Sequence, residues 1–152
     1  MSHRRTWMAL LTGIVWGIFL TLAVQGCRGA DYEITVRSVY DGDTLVADID
    51  LPAQQFRALG RTMKVAVTLQ GERIRLAGIN APELYTAEGK KARAELAAWL
   101  PSGTRGILRT SGRELEKYGR AFGRIEIAGA DLSARLIAAG LAVRWNGKGA
   151  RP

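Results

Sequence analysis

The stretch Arg73–Leu84, RIRLAGINAPEL, decides how this chain folds. Its first half alternates charged and apolar residues, a pattern typical of a strand with one buried face. The second half breaks that pattern, because Pro82 is disfavoured inside a strand and predicts a turn. Arg75 stands before the break and Glu83 after it. These two residues form either a solvated surface pair or part of an active site.

Alternating apolar residues continue on both sides of this stretch. The turn Asp41-Gly42-Asp43 predicts a tight connection between two strands, and the Pro- and Gly-bounded segment 52–61 predicts a loop. The pattern predicts an α+β fold that is mainly β: a five-stranded OB-fold barrel with an inserted helix and a short C-terminal helix. Strands are predicted at 32–40, 44–51, 62–79 (with a bend at Gln70-Gly71), 104–110, 121–128 and 141–145, and helices at 86–100 and 131–140.

Residues 1–30 differ from the rest of the chain in composition. A basic start, MSHRR, is followed by an uncharged and largely apolar run at 6–26. This leader predicts a signal peptide, a membrane anchor through residues 6–26 if it is uncleaved, or a lipoprotein signal with lipid on Cys27. The basic residues at its start predict export of the domain 31–152 to the periplasm or the exterior. The alternative is a buried core helix.

Composition excludes several kinds of site from the domain. The one histidine is His3 and the one cysteine is Cys27, so the domain has no His general base, His-liganded zinc or intrachain disulfide. The net charge is +8 for the chain and +5 from Asp31 onward. Such a balance favours polyanions such as nucleic acid or anionic lipid, or it only promotes solubility.

Charged side chains beside turns supply what phosphodiester cleavage needs. Glu83 can act as a base toward water, and Arg75 and Arg120 can donate forked hydrogen bonds to phosphate oxygens. Asp43 and Asn80 can offer hard oxygens to Ca²⁺, together with a backbone carbonyl. Each residue also has an ordinary alternative as a turn residue, a first-turn helix acid or a surface arginine.

The combination of motifs is more specific than any one of them. The chain carries, in order, VYDGDTL at 39–45, RIRLAGINAPEL at 73–84, EKYGRAFGRIEI at 116–127 and LIAAGLAVRW at 136–145. Together they resemble the staphylococcal nuclease (thermonuclease) family, from about residue 32 to residue 145. The resemblance implies an OB-fold and a Ca²⁺-dependent endonuclease that hydrolyses DNA and RNA and leaves 3′-phosphate ends. We also expect a monomer.

The resemblance implies a metal site at three positions. Asp43 matches the metal-binding aspartate of the DGDT turn, Asn80 stands where the family has a second metal carboxylate, and Ala81 matches the residue that offers its backbone carbonyl. Because Asn80 keeps an oxygen and lacks the charge, we expect weaker Ca²⁺ binding than with aspartate.

The resemblance also implies roles toward the substrate. Glu83 matches the proposed general base, and Arg75 and Arg120 match the arginines that hold the scissile phosphate. Lys117 and Tyr118 match residues that bind a neighbouring phosphate and nucleotide.

The chain also departs from the family pattern. The segment 48–64 is longer than in the staphylococcal enzyme, and the chain ends soon after Trp145, where the family has a further helix. Trp145 supplies either a stacking face for a base or a core side chain.

Two other functions compete with the nuclease. One is a catalytically weak or inactive OB-fold module that binds nucleic acid at the membrane. The other is a membrane-anchored structural or partner-binding domain. The joint presence of Asp43, Arg75, Glu83 and Arg120 favours the nuclease.

Overall fold

A computed structural model of the chain describes residues 29–112, 115–116 and 118–148. Among the described residues, every member of the hydrophobic core lies between Ile34 and Ala142, so the segment from residue 29 onward contains the core of this barrel. The predicted leader anchor at 6–26 and the lipid site at Cys27 lie outside the described residues. Among those that are described, neither helix is long and apolar enough to cross a membrane.

Eight strands and two helices make up the described fold. The elements in chain order are β1 (Asp31–Asp41), β2 (Thr44–Ala58), β3 (Arg61–Leu76), β4 (Ile79–Asn80), α1 (Ala87–Trp99), β5 (Arg105–Arg109), β6 (Ala121–Ile127), β7 (Ala130–Asp131), α2 (Leu132–Ala138) and β8 (Val143–Arg144).

The five long strands form a curled sheet in the order β3-β2-β1-β5-β6. Neighbours in this order are antiparallel, and a parallel pairing of β3 with β6, at Ile74–Leu76 and Ala121–Gly123, closes the ring. Alternate residues along each strand face the inside of the barrel, and those such as Ile34, Leu45 and Ile125 are almost fully buried. The predicted five-stranded α+β barrel of OB type is thereby confirmed.

Both predicted helices are present and pack on the barrel. Thr86 caps α1 by accepting a hydrogen bond from the Gly89 N–H, and Asp131 caps α2 through the Ala134 N–H. Helix α1 buries Ala92 and Leu96, while α2 buries Leu132 and Leu136. The short β4 pairs with β8, which places Ile79 and Asn80 under the chain that follows α2.

The prediction of a loop at 52–61 is wrong. Strands β2 and β3 run on past the barrel as a long hairpin, with pairs continuing to Ala58 and Arg61. Leu59 and Gly60 form the turn and both have positive φ, at 51° and 72°. A two-residue turn with positive φ at both positions matches the twist of antiparallel strands. The strands therefore stay paired up to this turn, although Pro52 and Gly60 had predicted a loop.

Candidate active site

One cleft of about 240 Å³ gathers most of the residues singled out in the sequence. It lies where the β1–β2 turn, the end of β3, the β4–α1 loop and the segment before β6 meet. Its walls therefore come from parts of the chain that are up to 80 positions apart. The lining residues are Tyr40, Asp41, Asp43, Arg75, Asn80, Ala81, Pro82, Glu83, Leu84, Tyr85 and Arg120.

Gly42 allows the β1–β2 turn to lie against the β4–α1 loop. A Cβ atom added at Gly42 would lie 2.7 Å from the Ala81 Cβ and 3.0 Å from the Ala92 Cβ. The first distance is shorter than carbon atoms tolerate. The glycine of the DGD turn is thus required for close packing, which brings Asp43 next to residues 80–81.

Asp43 and Arg75 form a buried ion pair at the bottom of the cleft. The Arg75 Nη1 lies 2.8 Å from the Asp43 Oδ2, and both residues are 7% exposed. The Arg75 guanidinium also donates to the backbone carbonyls of Leu76, at 3.2 Å, and Ile79, at 3.1 Å. These contacts fix the guanidinium at the point where β3 leaves the barrel.

Burial makes the charge of Asp43 costly in spite of this partner. Desolvation raises the pKa of Asp43 to about 6; Arg75 and the Ala81 N–H act in the opposite direction, while Asp41 adds to the increase. The Asp41 Oδ1 accepts a hydrogen bond from the Asp43 N–H at 3.0 Å. Two neighbouring carboxylates in a half-enclosed cleft are a favourable place for a cation.

Asn80 and Ala81 complete this inner wall. The side chain of Asn80 is buried, and its Oδ1 lies 3.5 Å from the Arg75 Nη2. The Ala81 N–H donates to the Asp43 Oδ2 at 2.8 Å, which ties the β1–β2 turn to the end of β4. The three metal-site positions predicted from the resemblance therefore lie side by side.

The donor atoms suit a hard divalent cation by type. Aspartate oxygens, the Asn80 amide oxygen and the Ala81 carbonyl are the oxygen ligands that Ca²⁺ takes. Within the described part of the chain, no three His, Cys, Asp or Glu side chains are grouped closely enough to form a metal cluster. A cation here would therefore depend on two aspartates supplemented by neutral oxygens. Asp41 is one of the two, and the sequence had indicated for it only a turn role.

The position of Glu83 is set by the start of α1. Its side chain is exposed at the rim of the cleft, and its backbone carbonyl accepts hydrogen bonds from both the Thr86 N–H, at 2.9 Å, and the Thr86 hydroxyl, at 2.8 Å. Gly89 lies against the same carbonyl, since an added Cβ would overlap the Glu83 oxygen. The helix cap and a glycine contact thus hold the Glu83 backbone to α1.

Arg120 reaches the cleft from the segment before β6, and Glu116 orients it. The Glu116 Oε1 lies 2.9 Å from the Arg120 Nε, and the Arg120 Nη1 lies 3.5 Å from the Thr44 Oγ1. Partial burial raises the pKa of Glu116, but the hydrogen bonds from Arg120 and from the Tyr118 N–H lower it by more. The net effect is a pKa below the ordinary value for glutamate, so Glu116 stays charged beside Arg120. The sequence analysis missed Glu116. The four-residue separation from Arg120 was the available signal, but the two lie in a loop and not a helix.

The other predicted substrate contacts differ in their placement. Tyr118 is exposed beside Arg120, whose guanidinium lies 5.8 Å from the ring centre. Lys117 lies outside the described residues. Trp145 is not among the residues of the active-site cleft; it is half-buried, its backbone N–H donates to the Gly78 carbonyl, and it lines a second cavity of about 580 Å³ beside α2.

Comparison with known proteins assigns the family. A comparison with curated proteins gave no match. The family model described as staphylococcal nuclease homologue matches residues 73–150, just over half of the chain. The matched region includes Arg75, Asn80, Glu83 and Arg120, which the fold brings to the same cleft as Asp43. The chain belongs to the staphylococcal nuclease homologues.

Proposed function

We propose that this domain is a Ca²⁺-dependent phosphodiesterase that cuts DNA and RNA internally and leaves 3′-phosphate ends. The observation that carries the proposal is the single cleft that joins two carboxylates and two arginines with an acidic residue at its rim. Metal-assisted phosphodiester cleavage needs these groups: oxygen ligands, cationic donors to phosphate and a base. Membership of the nuclease family supports the same reaction.

In this proposal, each residue of the cleft has a role in phosphodiester cleavage that follows from its position. Arg75 and Arg120 would donate to the non-bridging oxygens of the scissile phosphate, where negative charge increases in the transition state. Glu83 would accept the proton of the attacking water, whose oxygen forms the new bond to phosphorus as the bond to the 5′-oxygen breaks. The leaving 5′-oxygen keeps the bonding electron pair and takes up a proton from solvent water to become the 5′-hydroxyl. Asp41, Asp43, Asn80 and the Ala81 carbonyl would hold Ca²⁺. Bound Ca²⁺ supplies a Lewis acid that offsets charge on the phosphate.

A second candidate is a module that binds nucleic acid with little or no hydrolysis. The engagement of Arg75 with Asp43 favours it, because a guanidinium already paired at 2.8 Å must reorganise before it can serve a phosphate. Asn80 favours it as well, since one charge fewer weakens a cation site. The nuclease remains the better-supported function because the base and both arginines are all present.

One experiment separates the two functions. The segment 29–152, which contains the described core of the barrel, is incubated with labelled single-stranded DNA in Ca²⁺ or in chelator. We expect cleavage only with Ca²⁺, and a loss of about 100-fold or more in Glu83→Gln. Glu95→Gln, an exposed change on α1, is the matched control and should cleave normally. Binding without cleavage would favour the second candidate, and normal cleavage by Glu83→Gln would remove Glu83 from its proposed role.

Export and attachment of the domain to a membrane through residues 6–26 or Cys27 are proposed on composition alone. The order of a basic start followed by an uncharged run supports them. Fractionation of cells that produce the full chain, with and without Cys27→Ser, would distinguish a cleaved signal, a retained anchor and a lipid anchor. A full-length protein in the soluble cytoplasmic fraction would contradict the proposal.

A further inference from the structure

The part of the β2–β3 hairpin beyond the barrel, residues 52–69, exposes an apolar surface; we call it the distal hairpin. Leu59 at its tip is fully exposed. Five further large apolar side chains along it are 39–53% exposed, although strands of a small barrel usually bury one face. They are Phe56, Met63, Val65, Val67 and Leu69.

Register places these five side chains on one face. Phe56 pairs with Met63, and Leu69 pairs with Ile49, which points into the barrel core. The buried Ile74 also faces the core, and a bulge on β3 between Leu69 and Glu72 shifts the alternation of side chains by one residue. Met63, Val65, Val67 and Leu69 therefore continue the core-facing side of β3 out into solvent. The opposite face is polar, with Gln55 beside Lys64, Arg57 beside Thr62, and a 2.6 Å hydrogen bond from Thr68 to Asp50.

The charged side chains near the tip of the distal hairpin are all positive. Near the tip, Arg61 lies on the apolar face, while Arg57 and Lys64 lie on the polar face. The sequence has no Asp or Glu between Asp50 and Glu72. Apolar side chains bordered by Lys and Arg are the composition that binds the interface of an anionic bilayer. A second copy of the chain would bring like charges together. Nucleic acid would satisfy the cations but offers little to an aliphatic face.

The direction of the hairpin fits the same partner. Glu33 near the start of β1 pairs with Asp50, so the hairpin extends past the beginning of β1 by about 20 Å at strand spacing. The uncharged run in the leader ends at Gly26, five residues before Asp31, a span of at most about 18 Å. The chain therefore enters the barrel from the end at which the hairpin projects. The active-site cleft includes the β1–β2 turn, which is at the other end of both strands.

We propose that the distal hairpin docks on an anionic lipid surface, with Leu59 and the apolar face entering the interface and the three cations contacting headgroups. Leu59 stands at a position with φ of 51°, which a glycine or asparagine would adopt more easily. Such docking would direct the cleft away from the lipid, toward substrate in solution. The proposal does not depend on hydrolysis and holds equally for a binding module.

A fluorophore at the hairpin tip tests the docking in the full chain. In a Cys27→Ser background, Leu59→Cys is labelled with an environment-sensitive dye, and the chain is mixed with phosphatidylglycerol or phosphatidylcholine vesicles. We expect a blue shift and an emission increase with phosphatidylglycerol, and an effect at least about fivefold weaker with phosphatidylcholine. A dye at Ser102→Cys, on the exposed turn after α1, should stay unchanged even if the leader holds the chain on the vesicle.

Charge variants supply the matched comparison. Arg57→Glu with Lys64→Glu should weaken the phosphatidylglycerol response at least about fivefold, because both side chains are exposed on the hairpin. Lys90→Glu with Lys91→Glu makes the same change of charge on α1 and should leave the response intact. An unchanged Leu59→Cys dye with phosphatidylglycerol overturns the proposal. A blue shift that appears without vesicles and grows with protein concentration would indicate self-association and would also overturn the proposal. A blue shift that appears only when DNA is added would overturn it as well.

Discussion

Asp43 carries a charge in a place that disfavours it, and this gives the metal-free protein a distinctive pH dependence. Burial raises its pKa to about 6, so the folded state binds a proton that the unfolded state releases near pH 3.8. This group therefore lowers the free energy of unfolding as pH rises from about 4 to about 6, by on the order of 2–3 kcal/mol, and its effect levels off above that range.

The first prediction isolates this contribution with Asp43→Asn, which cannot titrate. In chelator, the stability of wild type relative to Asp43→Asn should decline between about pH 4 and pH 6 and then stay constant. Urea unfolding across this pH range measures the difference, and other acids such as Glu116 cancel because both proteins contain them. A difference that does not vary with pH would show that Arg75 compensates the buried charge completely.

Asn80 stands at a position where the family resemblance led us to expect a carboxylate. Its buried Oδ1 lies beside Arg75 in the wall that holds Asp43. The second prediction is that Asn80→Asp, by adding one negative charge next to the proposed ligands, lowers the Ca²⁺ concentration for half-maximal cleavage at least about tenfold, or about 1.4 kcal/mol. Calcium titration of cleavage tests it, and Asn146→Asp, which adds the same charge outside the cleft, is the control. Equal half-saturation in Asn80→Asp and wild type would contradict the charge argument.

At the residue scale the sequence predicts positions better than it predicts interactions. Asp43, Arg75, Asn80 and Glu83 could be singled out because each stands beside a turn in a recognisable motif, and the fold brings them to one cleft. The orienting role of Glu116 could not be read in this way. It depends on a side-chain contact with Arg120 within an irregular loop, and neither residue type nor helical spacing indicates such a contact.

The first turn of α1 holds the loop that carries Glu83 in place. Gly89 packs against the Glu83 carbonyl so closely that an added Cβ would overlap it. The third prediction is that Gly89→Ala separates α1 from the loop, lowers the free energy of unfolding by about 1–3 kcal/mol and reduces cleavage. Urea unfolding and initial rates measure both effects. Ala94→Gly, on the exposed side of the same helix, changes helix propensity without this contact and should leave the rate intact.

The β2–β3 hairpin shows why Pro and Gly residues in a sequence do not always mark the end of a strand. Pro52 falls at an irregularity between Leu51 and Gln54, where the register shifts, so it interrupts the strand without ending it.

The fourth prediction concerns the turn of the β2–β3 hairpin. Leu59→Asn should raise the free energy of unfolding by about 1 kcal/mol, because asparagine tolerates positive φ better than leucine. Thermal and urea unfolding test this, and Leu59→Val should act in the opposite direction. A destabilised Leu59→Asn would mean that the turn is not strained.

For the whole molecule, the strand and helix pattern predicts the five long strands and both helices, but not the short β4 and β7 or how the barrel closes. Closure depends on the parallel pairing of β3 with β6 between residues 74–76 and 121–123, which are far apart in the chain and make no local signal. The family resemblance supplied that topology. The closing pair also explains the cleft, since it sets the end of β3, with Arg75, next to the start of β6, just after Arg120.

The net charge of +5 from Asp31 onward raises a question for the whole molecule: whether nucleic acid binds through the cleft or through general attraction. Each phosphate contact with single-stranded DNA contributes about 0.7 to the slope of log affinity against log salt concentration. The fifth prediction is that Arg120→Gln reduces this slope by about 0.7, while Arg57→Gln, which removes the same charge from the distal hairpin, does not change it. Binding of segment 29–152 in chelator, between about 50 and 200 mM salt, measures the slopes without cleavage. Equal reductions in both variants would mean that the strand follows the basic surface as a whole, whereas a change in Arg57→Gln alone would place nucleic acid on the hairpin that we assign to lipid.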